Sequence, residues 1–138
     1  VAEPGLTPRL SFNLAVVFND GCLIGGCLAL LDAEGYAAEV GYSFYPDFWG
    51  QGYVSEALQR LLTFLWRDLG LRRVSASCRP ENLASIALLK RAGFRLEGHL
   101  REHKLIRGHY RDSLVWGLLA IDSTQDAACF TVLSIFDR

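Results

Sequence analysis

Methionine is absent from this chain of 138 residues, position 1 included, so the chain is expected to begin inside a longer gene product. Charge of one sign is also lacking: 14 Lys and Arg face 15 Asp and Glu, for a formal net charge of -1. That balance offers no basic surplus to hold nucleic acid, and no nucleic-acid partner is expected. No apolar run reaches the roughly 20 residues that span a bilayer, and no basic-then-apolar segment of signal-peptide form opens the chain, so no membrane partner is expected. Four cysteines (Cys22, Cys27, Cys78 and Cys129) contain no CxxC pair, and His99, His103 and His109 have no ligand-like spacing. Zinc and a disulfide framework are therefore not expected. Reduced, mostly buried thiols follow, with the cytoplasm as the default location.

What is present is enough apolar material for a core. Apolar residues make up 51% of the chain and charged residues 21%, which suits one globular domain over residues 1–138, with its core at about residues 10–120 and an unassigned tail at 121–138. Residues 1–8 hold two of the four prolines and read as a loose lead-in. Leu10, Phe12, Leu14, Val16 and Phe18 alternate as one face of a strand. Asn19-Asp20-Gly21 is hairpin-turn chemistry, since those residues tolerate positive φ. Residues 22–31 are nearly all apolar and predict a strand buried on both faces. After a turn at 32–35, a third strand is expected over 37–45.

The periodicity then changes. Residues 46–52 have loop composition, and Val54, Ala57, Leu58, Leu61, Leu62, Leu65 and Leu69 repeat at helix spacing, closed by Gly70. A short strand follows at 72–78, then a helix at 83–92 capped by Asn82, with Ile86 and Leu89 inward and Gly93 at its end. Two strands are expected near 99–106 and 110–120, around a turn at Arg107-Gly108. Residues 130–135 suit a short strand or a tail. The order β-β-β-α-β-α-β-β implies a crossover with the third and fourth strands parallel, in a mixed α/β sheet whose simplest packing has one helix on each side.

The chemistry concentrates in Phe48-Trp49-Gly50-Gln51-Gly52-Tyr53, between a strand and an amphipathic helix. Two glycines let the backbone turn sharply and let its N–H groups come close to a ligand. The first amides of a helix have no internal partners, and the helix dipole adds positive potential. A pyrophosphate fits such a site. A tight turn is the other reading of a glycine pair, and the rival phosphate motifs fail: no Gly-Lys-Ser/Thr is present, and Ser55 stands where a dinucleotide fingerprint needs its third glycine.

Two blocks of residues make this more specific. Gly50-Gln51-Gly52 before Glu56-Ala57-Leu58, then Glu81-Asn82-Leu83-Ala84-Ser85-Ile86 with Lys90-Arg91-Ala92-Gly93-Phe94, resemble the two signature blocks of the GNAT N-acetyltransferases. Glu97-Gly98 and Arg111-Asp112 resemble the branch that acetylates ribosomal-protein N-termini, the RimJ/RimL type. The resemblance runs over about residues 10–119. It implies a GNAT fold: a mixed, mostly antiparallel sheet with a central parallel pair splayed at the cofactor site, here with the N-terminal strand and helices shortened or missing. The apolar surface this leaves is expected to favour a homodimer.

The resemblance also implies roles. Acetyl-CoA is the cosubstrate, with no metal. Main-chain groups of Gly50, Gln51, Gly52, Tyr53, Val54 and Ser55 hold the pyrophosphate. The strand around Tyr42, Ser43 and Phe44 pairs with the pantetheine arm, and Asn82 hydrogen-bonds it. The thioester enters a splay between that strand and the one at 74–78. The acceptor is an amine, a protein N-terminus or a small molecule. Glu39 resembles the base of some family members, with Glu102 and His103 as second choices. A carboxylate of the branch aligns with Lys104, and Glu102 lies two residues earlier on the same face by strand alternation. Many members have a tyrosine acid where this chain has Leu89, and Ser85 is the expected substitute. An amide near Phe44 or Tyr45 meets the oxyanion. Asp47 brings a negative charge near the phosphates. Leu89 and Asp47 also fit a CoA-binding module that has lost catalysis. Trp49 is expected to pack beneath the loop, Phe64, Trp66 and Phe94 in the core, and Arg72, Arg73, Arg91 and Arg95 along a basic edge within reach of the 3'-phosphate of CoA.

Overall fold

A computed structural model describes residues 11–123 and the backbone of residues 133–137. Seven strands form one sheet, and two helices cover it. The strands are β1 (Ser11–Phe18), β2 (Leu23–Leu31), β3 (Ala37–Phe44), β4 (Arg73–Cys78), β5 (Arg95–Ile106), β6 (His109–Leu119) and β7 (Leu133–Asp137). The helices are α1 (Tyr53–Arg67) and α2 (Leu83–Arg91). Strand order across the sheet is β5-β6-β4-β3-β2-β1-β7. Every neighbouring pair is antiparallel except β3 with β4. The expected lead-in, Leu10, residues 130–132 and Cys129 lie outside the described residues; the strand expected there is seen as β7, paired with β1.

Alternation in the hairpins fixes the register. Leu14 opposes Cys27, and Cys27 opposes Tyr42, so Phe12, Leu14, Ala29, Val40, Ala76 and Trp116 share one face. Both helices lie on that face. α1 buries Ala57, Leu58, Leu61, Leu62, Leu65 and Trp66, while α2 buries Ser85, Leu88 and Leu89. All the apolar residues among these belong to a single core cluster with the strands. The expectation of one helix on each side is therefore corrected. Residues 22–31 are likewise not buried on both faces: Ile24, Cys27 and Ala29 are buried, Leu28 is half-buried and Leu30 is exposed. An all-apolar run does not reveal which of its faces the helices will cover. The other face carries Asn13, Glu39, Ser43, Ser75 and Ser77, whose polar groups keep it wet.

Each large side chain fully buried in α1 contributes on the order of 1.5–3 kcal/mol. Truncating Leu65, which has no exposed surface, would cost about 2–5 kcal/mol. Gly70 and Gly93 follow the helices with φ of 65° and 97°, the left-handed geometry that stops a helix with little cost only at glycine. Asn82 caps α2 by accepting the Ser85 N–H on its side-chain oxygen at 3.1 Å. Trp66 and Phe94 are core, and Phe64 packs edge-on to Phe12.

Two features of the edge differ from expectation. Arg73 is not a free cation, because its guanidinium holds Glu97 through two hydrogen bonds of 2.9 and 2.5 Å. The carboxylate lies directly over Gly117, where any side chain would displace it. The hairpin β5–β6 also carries a bulge: Leu100 opposes Ser113 and Lys104 opposes Arg111, so residues 101–103 stand against Asp112 alone. Glu102 adopts φ of 47° within it and donates its N–H to Asp112 Oδ1 at 2.8 Å. Its place two residues before Lys104 on a regular strand face is thereby corrected.

Candidate active site

The parallel pair β3–β4 holds for only four residue pairs, from Ala37 with Arg73 to Val40 with Ala76. Beyond Val40 the strands diverge. Tyr45 donates its N–H to the Ile24 carbonyl at 3.1 Å. Antiparallel alternation gives Ser43 and Gly41 the same direction, which turns the main-chain groups of Tyr42 and Phe44 toward the gap. Of the two amides expected to meet an oxyanion, Phe44 is thus the one that faces the opening. The Phe44 carbonyl accepts the Trp49 indole N–H at 2.8 Å.

That bond corrects the placing of Trp49. It does not pack beneath the loop but lies 62% exposed across its mouth. Phe48 takes the underside instead, in a triangle of edge-to-face rings with Phe18 and Tyr53 whose centroids lie 4.9–6.3 Å apart. Local sequence could not separate the two aromatic residues, because the partner, Phe18, comes from a distant strand.

Gly50 and Gly52 have φ of 73° and 86°, and nothing lies within 4 Å of where a side chain would project from either. Gly52 starts α1 without any side-chain cap. Among the described residues, the amides of Gly50, Gln51, Gly52, Tyr53, Val54 and Ser55 have no protein acceptor; the first α1 bond is Glu56 N–H to the Gly52 carbonyl. The Gln51 side chain donates to the Asp47 carbonyl at 2.7 Å, and the Tyr53 ring packs on Phe18; these two expected cofactor residues do not line the cleft that the loop opens into. Asp47 does not line the cleft.

The loop opens into a cleft of about 490 Å³ between α1 and α2, lined by Tyr42, Ser43, Phe44, Trp49, Gly50, Gly52, Val54, Ser55, Asn82, Ser85 and Arg91, among others. Almost the whole expected cofactor set therefore meets in one place. At its inner end the Tyr42 hydroxyl and the Ser85 hydroxyl are 2.5 Å apart. Burial pushes the Tyr42 phenol above its usual value, against the opposing pull of the Ser85 hydrogen bond. The Cys78 thiol is also raised by burial, with Trp116 and Ser85 pulling it down. Sequence reasoning gave Tyr42 only a main-chain role; its side chain meets Ser85 across 43 positions of sequence, a pairing that local spacing cannot show.

A second cavity of about 630 Å³ shares Tyr42, Asn82 and Ser85 with the cleft and extends toward the β5–β6 hairpin. Glu39 and Glu102 are exposed and line neither space, although Glu39 neighbours Val40 at the point of divergence. His103 Nδ1 lies 2.9 Å from Ser113 Oγ. Leu89 is fully buried in the core. Of the three described cysteines, Cys22 is exposed, which departs from the expectation of mostly buried thiols, while burial raises the Cys27 thiol to about 12. No described helix is long and apolar enough to cross a membrane.

Comparison with known proteins agrees with this architecture. Residues 5–95 match the family described as Acetyltransferase (GNAT) domain, and the chain belongs to that family. An uncharacterized N-acetyltransferase, p20, of Bacillus licheniformis is 38% identical over 98 residues, covering 70% of this chain and 55% of the relative. The [Ribosomal protein uS5]-alanine N-acetyltransferase of Escherichia coli is 34% identical over 89 residues, covering 64% and 46%. Among solved structures, a mutant of spermidine N-acetyltransferase SpeG from Vibrio cholerae superposes with a TM-score of 0.77 at 25% identity, over 81% of this chain and 67% of that one. The chain spans about half the length of the curated relatives named here. The GNAT fold is thus established, and GNAT enzymes use acetyl-CoA as cosubstrate.

Proposed function

We propose that this domain transfers the acetyl group of acetyl-CoA to a primary amine, with a protein N-terminus as the acceptor, by direct attack in a ternary complex. The observation that carries this reading is the row of partnerless amides at Gly50 to Ser55, opening onto the gap where β3 leaves β4. Those amides and the α1 dipole suit a diphosphate, and Arg91 lines the same cleft for a further phosphate. The pantetheine arm would run along Tyr42 and Phe44 as a short extra strand, and the Asn82 side-chain amide is available beside it.

In the reaction the acceptor nitrogen attacks the acetyl carbonyl carbon, the C–S bond breaks, and the nitrogen loses a proton while the sulfur gains one. The Phe44 N–H would meet the oxyanion. Tyr42, held by Ser85, is the proton donor to the leaving sulfur; a phenol is protonated at neutral pH at its ordinary value, and burial shifts this one further in the same direction. Glu39 would act as base through water, from the wet face of β3. The protein-terminus reading draws support from the ribosomal-protein relative, and the structural likeness to a spermidine enzyme makes a small-molecule amine the second reading.

Calorimetric titration with acetyl-CoA, followed by steady-state release of free thiol with a panel of amines, tests the proposal. Saturable binding with amine-dependent thiol release is expected. Binding without turnover would identify a CoA-binding module instead, and no binding to the folded protein would remove acetyl transfer altogether.

A further inference from the structure

The cavity on the far side of Tyr42 and Ser85 has an unbalanced charge. Arg79, Lys104, Arg107 and Arg111 all line it. None of the four has an ion-pair partner among the described residues. Asp112 is the one carboxylate in the lining, and both of its oxygens are engaged: Oδ2 lies 2.7 Å from His99 Nε2, and Oδ1 accepts the Glu102 N–H. Those bonds hold its carboxyl below the usual range, so it stays ionised and still leaves the cavity strongly positive.

The pyrophosphate of the cosubstrate does not account for this charge. Its place is at the start of α1, in the cleft on the other side of Tyr42, where Arg91 stands. The four cations instead line the cavity that meets the cleft at Tyr42, Asn82 and Ser85, a route by which an acceptor would reach the thioester. Like charges held together without partners are unfavourable and are relieved by an anionic guest.

From this juxtaposition we infer that the acceptor carries an anionic group, a carboxylate by preference, close to the amine it presents, and that polyamines are disfavoured. This rests on the acetyl-transfer reading and narrows it. An amine with a nearby carboxylate can come from two sources, a peptide with acidic residues just after its N-terminus or a free amino acid. A polycation such as spermidine would bring its additional ammonium groups against Lys104, Arg107 and Arg111.

The test is a matched set of acceptors on the unaltered protein, read as kcat/KM from thiol release. One arm compares a peptide with Asp and Glu at its second and third positions with a twin bearing Asn and Gln there. Another compares alanine with alaninamide, and a third uses spermidine. The acidic member of at least one pair should exceed its twin by roughly tenfold, equivalent to about 1.4 kcal/mol, and the ratio should shrink as salt is raised. The arm in which the preference appears tells peptide from amino acid. Lys104→Gln or Arg111→Gln should each reduce that ratio. Transfer to the amide twins and to spermidine at rates equal to or above the acidic acceptors would overturn the inference while leaving acetyl transfer intact. No transfer to any amine would overturn both.

Discussion

Gly52 offers a way to separate ligand binding from folding. It sits at φ of 86° with open space where a side chain would be. Gly52→Ala therefore meets no clash in the protein alone and carries only the cost of a left-handed alanine, about 1–2 kcal/mol. For a domain of this size each kcal/mol lowers Tm by about 3–5 °C. Gly70 has the same backbone sign, φ of 65°, and equally open surroundings, but lies at the other end of α1. Gly70→Ala should thus lose a similar amount of Tm. Only Gly52→Ala puts a methyl group where a diphosphate would approach the amides. Losing one charge-assisted hydrogen bond costs about 1.5–3 kcal/mol, so its Kd for acetyl-CoA should rise roughly 10- to 150-fold. Calorimetry at a temperature where all three proteins are folded reads this directly. Equal affinity in Gly52→Ala and the unaltered protein, or an equal loss in Gly70→Ala, would refute the assignment of the loop.

Three more expectations follow from the site and the sheet edge. Tyr42→Phe should lower kcat by about 10²-fold or more with little change in acetyl-CoA affinity, and since burial raises this phenol, activity should not decline through its ionisation as pH rises toward 10; unchanged turnover in this variant would rule out Tyr42 as the donor. Glu39→Gln should reduce the rate at neutral pH far more than it affects cosubstrate binding, and identical pH profiles would exclude Glu39 as the base, with Glu102→Gln as the comparison. The Arg73 hydrogen bonds depress the pKa of Glu97, so its contribution is present above the ordinary value near 4.5 and is lost as pH falls through the lower folded value. Both side chains are more than a third exposed, so Glu97→Gln should cost only about 0.5–1 kcal/mol at pH 7; a Tm difference that persists undiminished at strongly acid pH would contradict the pairing.

Local pattern carried most of the framework. The 3.6 spacing from Val54 to Leu65 marks α1, and the alternation in residues 12–18 marks β1, because each burial choice repeats within a few positions. Asn82 as a cap and Gly93 as a stop were legible for the same reason. What stayed hidden depends on distance along the chain. The side of the sheet taken by α2 depends on where β4 and β5 lie in the strand order and on the hand of the crossover between them, not on its own nine residues. The Tyr42–Ser85 contact needs β3 and α2 placed together. The bulge at residues 101–103 has no glycine to announce it, and it alone removes Glu102 from the regular face. The cation cluster of the second cavity joins Arg79 to a hairpin some 25 to 32 positions later.

Where β3 and β4 part beyond Val40, the sheet gains a short pair of inner edges besides its two outer ones. The main-chain groups of Tyr42 and the Phe44 N–H face that gap beside the hydrophobic core, open to strand addition, while the Phe44 carbonyl is held by the Trp49 indole. A bound thioester arm would complete that torn seam, so the cosubstrate would act partly as a structural splint. Protection of the Tyr42 and Phe44 amides against deuterium exchange should then rise with ligand, and the empty protein should be the form most ready to self-associate.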